Sequence, residues 1–173
     1  MDRGLVHILT GDGPGKTTSA VGRAVRAIGH GYKVHLIMFV KGKQDYGELL
    51  ASKIFPQLEI TVAGRDHFVD RKNPDAIDFE LARKGLRQAR ELIMSGEYDM
   101  VILDSVNVAL DFGLLDIKEI VELIERKPKK VELVLTGRAA PKELYEYADY
   151  VTEMNEIKHP FQKGVLARQG IEY

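Results

Sequence analysis

Thr10 to Ala20 of this chain read "TGDGPGKTTSA", directly after the apolar run Leu5 to Leu9. A glycine-rich turn between a strand and a helix exposes successive backbone N–H groups. Together with the positive end of the helix, they hold phosphate oxygens. Glycine suits the turn because a Cβ would block close approach and because the backbone needs unusual φ. Lys16 is placed to reach the outer phosphates, the Thr17 hydroxyl to sit on Mg²⁺, and Thr18 to support the first helical turn. The usual spacing is G-x-x-x-x-G-K-[ST]. Here Thr10 stands five before Gly15 and Gly11 falls one position late. The alternative is an ordinary glycine-rich turn with a solvated lysine. Strand, loop, Gly15-Lys16-Thr17 and helix follow in the order phosphate binding requires, so Gly11, Asp12, Gly13, Pro14, Gly15, Lys16, Thr17 and Thr18 are read as the phosphate loop.

Outward from the loop, short β-rich runs alternate with longer helical patterns. Strands are expected at Leu5–Leu9, Lys33–Val40, Leu58–Val62, Met100–Leu103, Val131–Leu135 and Tyr150–Glu153. Most are apolar at consecutive positions, as in Val101-Ile102-Leu103, which implies burial on both faces and a parallel sheet. Helices are expected from Lys16 to about Ile28, from Asn73-Pro74-Asp75 to Gly96, and across Ile117, Ile120, Val121 and Ile124. The stretches 41–47 and 64–73 read as irregular. The pattern predicts one α/β domain over residues 1–173, a three-layer sandwich on a mostly parallel six-stranded sheet. Ligands in such sheets bind beyond the carboxyl ends of the strands.

Composition removes several classes of function. The chain has 173 residues, no cysteine and a formal charge of -1. Disulfide, thiolate and cysteine–zinc chemistry are excluded, and nothing global draws the protein to nucleic acid or membrane. No apolar stretch reaches the roughly 18 residues of a membrane span, and the N-terminus lacks an export signal, so a cytoplasmic protein is expected. "KPKK" (Lys127 to Lys130) is too short for a nucleic-acid patch.

A phosphate loop calls for an acid at the end of a later strand. "MVILD" (Met100 to Asp104) supplies Asp104, to bind Mg²⁺ directly or through water; the plainer reading is a turn cap. The pair indicates a nucleoside triphosphate and leaves the reaction open.

Three further stretches narrow the reaction: "VRAIGHGYKVHLIMFVKG" (Val25 to Gly42), "LTGRAAPKELYEYADYVTEMNEIKHPF" (Leu135 to Phe161) and the closing "KGVLARQGIEY". With "TGDGPGKTTSA" and "VILDSVNVALDFGLL", the chain resembles the ATP:corrinoid adenosyltransferases from about residue 5 to residue 173. The resemblance implies a RecA-like P-loop NTPase fold. It also implies a reaction in which Co(I) of a reduced corrinoid attacks the 5′ carbon of ATP and expels triphosphate. The family is understood to hold ATP in the reverse sense from a kinase, so the loop, Lys16 and Mg²⁺ stabilise the leaving group. Lys16 and Thr17 are then the catalytic residues, and Thr17 and Asp104 the metal ligands. Arg26 in "VRAIGHG" and Arg138 in "TGR" match arginines expected near the nucleotide; the plainer reading of each is a surface ion pair. Lys41 is expected to reach a phosphate or a corrin side group, and Phe68 to keep an aromatic contact with the corrin. A homodimer and an electron-donating flavoprotein partner are implied as well.

The chain departs from the family pattern in three places. Many members carry Asp-Glu where this chain has Asp104-Ser105, which leaves metal binding to Thr17, Asp104 and water. Many carry Gly-Phe-Thr-Trp where it has "GRDHFVDRK", with Asp70 about where the tryptophan stands. Longer members have an N-terminal helix over the corrin, whereas this sequence starts almost at its first strand. A second reading follows from Ser105 and the missing tryptophan: an ATP-binding relative without adenosyl transfer, a slow ATPase or nucleotide-gated binder. A nucleic-acid motor is the third, opposed by the absence of a basic face. His67 reads as a solvated loop residue, since the chemistry wants four-coordinate Co(I). His7 and His35 read as strand packing, His159 as fixing the C-terminal segment, and Tyr145, Tyr147 and Tyr150 as packing in the last helix and strand.

Overall fold

A computed structural model describes residues 2–43 and 45–173; Gln44, within the expected irregular stretch 41–47, lies outside the described residues. Six strands form one sheet in the order β3-β2-β4-β5-β1-β6. They are β1 (Val6–Thr10), β2 (Val34–Phe39), β3 (Leu58–Ala63), β4 (Met100–Asp104), β5 (Glu132–Thr136) and β6 (Tyr150–Glu153). Every pairing is parallel, with registers such as Leu36↔Ile102 and Ile8↔Leu135. The three-layer α/β expectation holds, and "mostly parallel" becomes wholly parallel.

The two faces of the sheet explain the layers. On β2, β4 and β5, Ile37, Phe39, Val101, Leu103, Leu133 and Leu135 point to one side. They meet α3 (Ala76–Ser95), α4 (Val106–Asp111) and α5 (Ile117–Arg126). Leu36, Met38, Ile102 and Val134 point to the other, against Ala20, Ala24 and Ala27 of α1 (Lys16–Gly29), with Leu49 of α2 (Gly47–Ser52) at the margin. Alternation along each strand therefore feeds two cores, and a strand with both faces buried reads as a continuous apolar run. Small residues on α1 let it lie close to the sheet. Gly85 does the same for α3, because a Cβ there would stand 2.6 Å from the Ala63 Cβ.

Several boundaries differ from expectation, and the differences matter. Strands β1 and β5 each run one residue further, so Thr10 and Thr136 end strands at the carboxyl edge. Two short helices, α2 and α4, were not legible as apolar periodicity; six residues make too few turns to display one. The expected last helix over Tyr145 and Tyr147 is a 3₁₀ turn, Lys142–Tyr147, following Pro141. His7 does more than pack: its Nε2 lies 2.5 Å from Glu132 Oε1, and its ring stacks on Tyr150 at 4.6 Å. No helix among the described residues is long and apolar enough to cross a membrane.

β5 lies between β1 and β4. The loop after β1 and the acid ending β4 are thus separated by one strand, whose own end, Thr136, fills the gap. The segment after β6 then crosses the same edge: Met154 accepts from Gly13 N–H at 2.7 Å, and Tyr173 finishes beside Gly47.

Candidate functional site

The loop is set by backbone conformation. Gly11 and Gly15 have φ of 94° and 107°, in the region that side chains avoid. A Cβ on Gly11 would lie 2.4 Å from the Met154 carbonyl oxygen, so this glycine is required by the crossing segment as well as by the turn. Gly15 is the N-cap of α1. No side chain caps the helix, and no acid lies in its first turn. Its first N–H groups and its positive end therefore carry no anion from the chain itself, which is the condition for an external one.

Four side chains meet at this end. Thr17 Oγ1 donates to Asp104 Oδ1 at 2.8 Å. Thr136 Oγ1 donates to the same oxygen at 2.6 Å, and accepts from Ser105 N–H at 2.9 Å. Lys41 Nζ donates to Asp104 Oδ2 at 2.6 Å and to Thr17 Oγ1 at 3.2 Å. The Asp104 side chain is 0% exposed and that of Lys41 25%. A carboxylate this buried is held by the donors around it. Burial works against charge on Lys41, but Asp104, with help from Glu48 and Tyr46, outweighs it and raises the lysine's pKa.

Lys16 folds back, its Nζ donating to the Gly13 carbonyl of its own loop. Its pKa is lowered, first by burial and then by the charges of Arg138 and Lys41, against the opposing pull of Asp12 and Asp104. Cations are crowded here beyond the carboxylates present. A polyanion would relieve that crowding.

Thr17 and Asp104 offer hard oxygen donors, the kind Mg²⁺ takes, and the Lys41 ammonium already bridging them shows that the spot stabilises a cation. Among the described residues no cluster of three acidic or histidine side chains could hold an ion unaided. A magnesium ion there would draw its remaining ligands from phosphate and water.

The sequence-derived residues thus divide. Gly11 to Thr18, Asp104 and Lys41 stand together, and Arg138, exposed beyond β5, acts on Lys16 through its charge. Arg26 does not join them: it is exposed in the last turn of α1, about 15 Å from Lys16 by helix rise. Phe68 lies on the connection between β3 and α3 and is 97% exposed. It follows Arg65 and Asp66, which line an open depression with Gly42, Lys43 and Asp45. His67 is exposed beside its neighbour Asp66, as expected of a loop histidine. Sequence reasoning missed Thr136, Tyr46, Glu48 and the Met154 backbone. Only Thr136 carried a signal, a hydroxyl closing an apolar strand next to the Gly137-Arg138 turn. Ser105, read as a missing carboxylate, sits at φ 64° as the N-cap of α4.

Comparison with known proteins identifies the family. The family ATP:corrinoid adenosyltransferase BtuR/CobO/CobP matches residues 2–173. A corrinoid adenosyltransferase of Sinorhizobium sp is 38% identical over 99% of this chain and 81% of its own length. Its Escherichia coli K12 counterpart is 34% identical over 99% and 87%. The Salmonella typhimurium corrinoid adenosyltransferase CobA is 31% identical over 99% and 87%. In fold, the chain is similar to the flagellar accessory protein FlaH from Methanocaldococcus jannaschii, at TM-score 0.58 and 12% identity over 88% of this chain and 72% of that one. The fold is RecA-like, of the P-loop NTPase kind. The chain belongs to the ATP:corrinoid adenosyltransferase family, and it is a transferase.

Proposed function

We propose that this protein transfers the 5′-deoxyadenosyl group of ATP to the Co(I) of a reduced corrinoid and releases triphosphate. The observation that carries the reading is the convergence of Lys16, Lys41 and the charge of Arg138 on an uncapped helix end that also holds the Thr17–Asp104 pair. In this arrangement the loop N–H groups and Lys16 bind the triphosphate. Lys16 leaves its Gly13 carbonyl to do so. Arg138 adds charge from the β5 side. Thr17 and Asp104 would hold Mg²⁺, with Asp104 oriented by the Thr136 hydroxyl. The metal, when bound, neutralises charge that grows on the departing triphosphate.

The bond that forms is cobalt–carbon, and the bond that breaks joins C5′ to the α-phosphate oxygen. Both electrons come from Co(I), so the protein supplies no nucleophile. Its contribution is placement, exclusion of water and electrostatic stabilisation of the leaving group. The corrin is taken over the depression between Gly42 and Arg65, with exposed Phe68 as an apolar contact. Arg26 has no part in this arrangement. A homodimer and a reducing flavoprotein complete the proposal.

Anaerobic incubation with ATP, Mg²⁺ and chemically reduced corrinoid tests it. The spectrum of a cobalt–carbon product is expected, dependent on the protein. ATP binding without any such product would favour a non-transferring relative instead.

A further inference from the structure

Lys41 contributes charge to the site in the adenosyl-transfer reading, yet it also stands directly against both members of the metal pair. Its Nζ lies 2.6 Å from Asp104 Oδ2 and 3.2 Å from Thr17 Oγ1, against the two side chains that Mg²⁺ would use. A metal ion held by Thr17 and the same buried carboxylate would face the Lys41 ammonium at short range and be repelled by it. Lys41 also has somewhere to go. Glu48, on α2, acts on it electrostatically, and among the described residues Glu48 Oε2 is buried with no hydrogen-bond partner. The Tyr46 ring, at the N-cap of α2, has its centroid 5.8 Å from Nζ. A buried carboxylate oxygen without a donor is costly, and an arriving ammonium would satisfy it.

We infer that Lys41 is a built-in counter-ion that occupies the metal position until Mg²⁺ displaces it towards Glu48. This rests on the Thr17–Asp104 metal site of the proposed function. Three consequences follow. The empty site stays neutralised, so Asp104 is never left buried and bare. Free Mg²⁺ binds weakly, because it must expel a resident charge, and nucleotide phosphates are needed to make binding favourable. The released ammonium moves to the α2 side of the cleft and pairs with Glu48 there.

The test uses nucleotide-free protein and Mn²⁺ as the probe, with bound ion counted by electron paramagnetic resonance. Lys41→Met is expected to bind one Mn²⁺ about tenfold more tightly than the wild type, and Lys41→Arg to stay as weak as the wild type. Equal or absent binding in Lys41→Met overturns the inference. Adding Asp104→Asn to Lys41→Met should abolish the tight ion. If it survives, the ion sits elsewhere and the Thr17–Asp104 metal site itself is wrong. Should Lys41→Met fail to fold, wild-type protein decides. Amine labelling followed by mass spectrometry, with ATP present throughout, should show the reactivity of Lys41 changing several-fold in millimolar Mg²⁺ relative to the same concentration of K⁺, with the exposed lysines unchanged. No change at Lys41 contradicts the displacement.

Discussion

At the residue scale, the site is organised by how Asp104 is held. One oxygen accepts from Thr17 and Thr136, the other from Lys41, and Thr136 in turn accepts the Ser105 N–H. Thr136→Val removes a donor to a buried carboxylate and the acceptor of a buried amide. It should cost about 1–3 kcal/mol in urea denaturation and raise the Mg²⁺ concentration needed for half-maximal turnover. Thr136→Ser should recover both; a valine variant with wild-type metal dependence would remove Thr136 from the site. Lys16→Ala should lower kcat at least about a hundredfold, the scale of one lost charge-stabilising group in a preorganised site. Single-turnover kinetics under saturating ATP would check it. Most of this cluster was legible, because Gly15-Lys16-Thr17 and the Asp closing "VILD" announce themselves by type and spacing. Thr136 and Glu48 were not, since their roles depend on which strand lies between β1 and β4, and on where α2 turns. Arg26 shows the converse: its motif matches the family, but α1 carries it to the helix end away from Lys16.

At the element scale, strands and long helices followed from alternation and period, whereas α2, α4 and the 3₁₀ turns are too short to show either. The loop glycines show how a correct residue can carry a second reason. Gly13 was read for phosphate approach, yet a Cβ there would lie 2.8 Å from both the Asn155 carbonyl carbon and the Met154 oxygen. Gly13→Ala should therefore destabilise the fold by roughly 2 kcal/mol or more even without nucleotide, as read by thermal or urea melts. A variant as stable as wild type would show that the segment after β6 is free to move off the loop. The strands also predict a pH response. Burial lowers the pKa of His35 on β2, against a smaller opposing pull from Glu59. The unfolded chain thus takes up this proton more readily, and stability from His35 is present above the unfolded value near 6.5 and lost as pH falls below it. Glu132 on β5 is raised by burial but lowered more by His7, the Leu5 N–H and Lys127, for a net depression. Its contribution is present above about 4.5 and lost as pH falls towards the depressed value. Urea midpoints should decline in two stages from pH 7 to 3, and Glu132→Gln should flatten the second alone. An unchanged second stage would mean that other carboxylates govern acid unfolding.

At the scale of the whole molecule, an all-parallel sheet gathers the ends of β1, β2, β4 and β5 at one edge, and there the loop, Lys41, Asp104 and Thr136 meet. Alternating β and α runs made that architecture readable, because two buried faces demand apolar strands and helices on both sides. What no local pattern conveyed is the course of the last twenty residues, which pass the loop at Met154 and finish at Gly47. In the proposed reaction the cradle stabilises a departing triphosphate rather than a phosphoryl group in transfer. Phosphorus-31 NMR of an anaerobic reaction with ATP, Mg²⁺ and reduced corrinoid tests it most directly. Intact inorganic triphosphate should appear, one per cobalt–carbon bond formed, with nothing released when the corrinoid is left out. ADP and orthophosphate as the first products, formed with or without corrinoid, would contradict it.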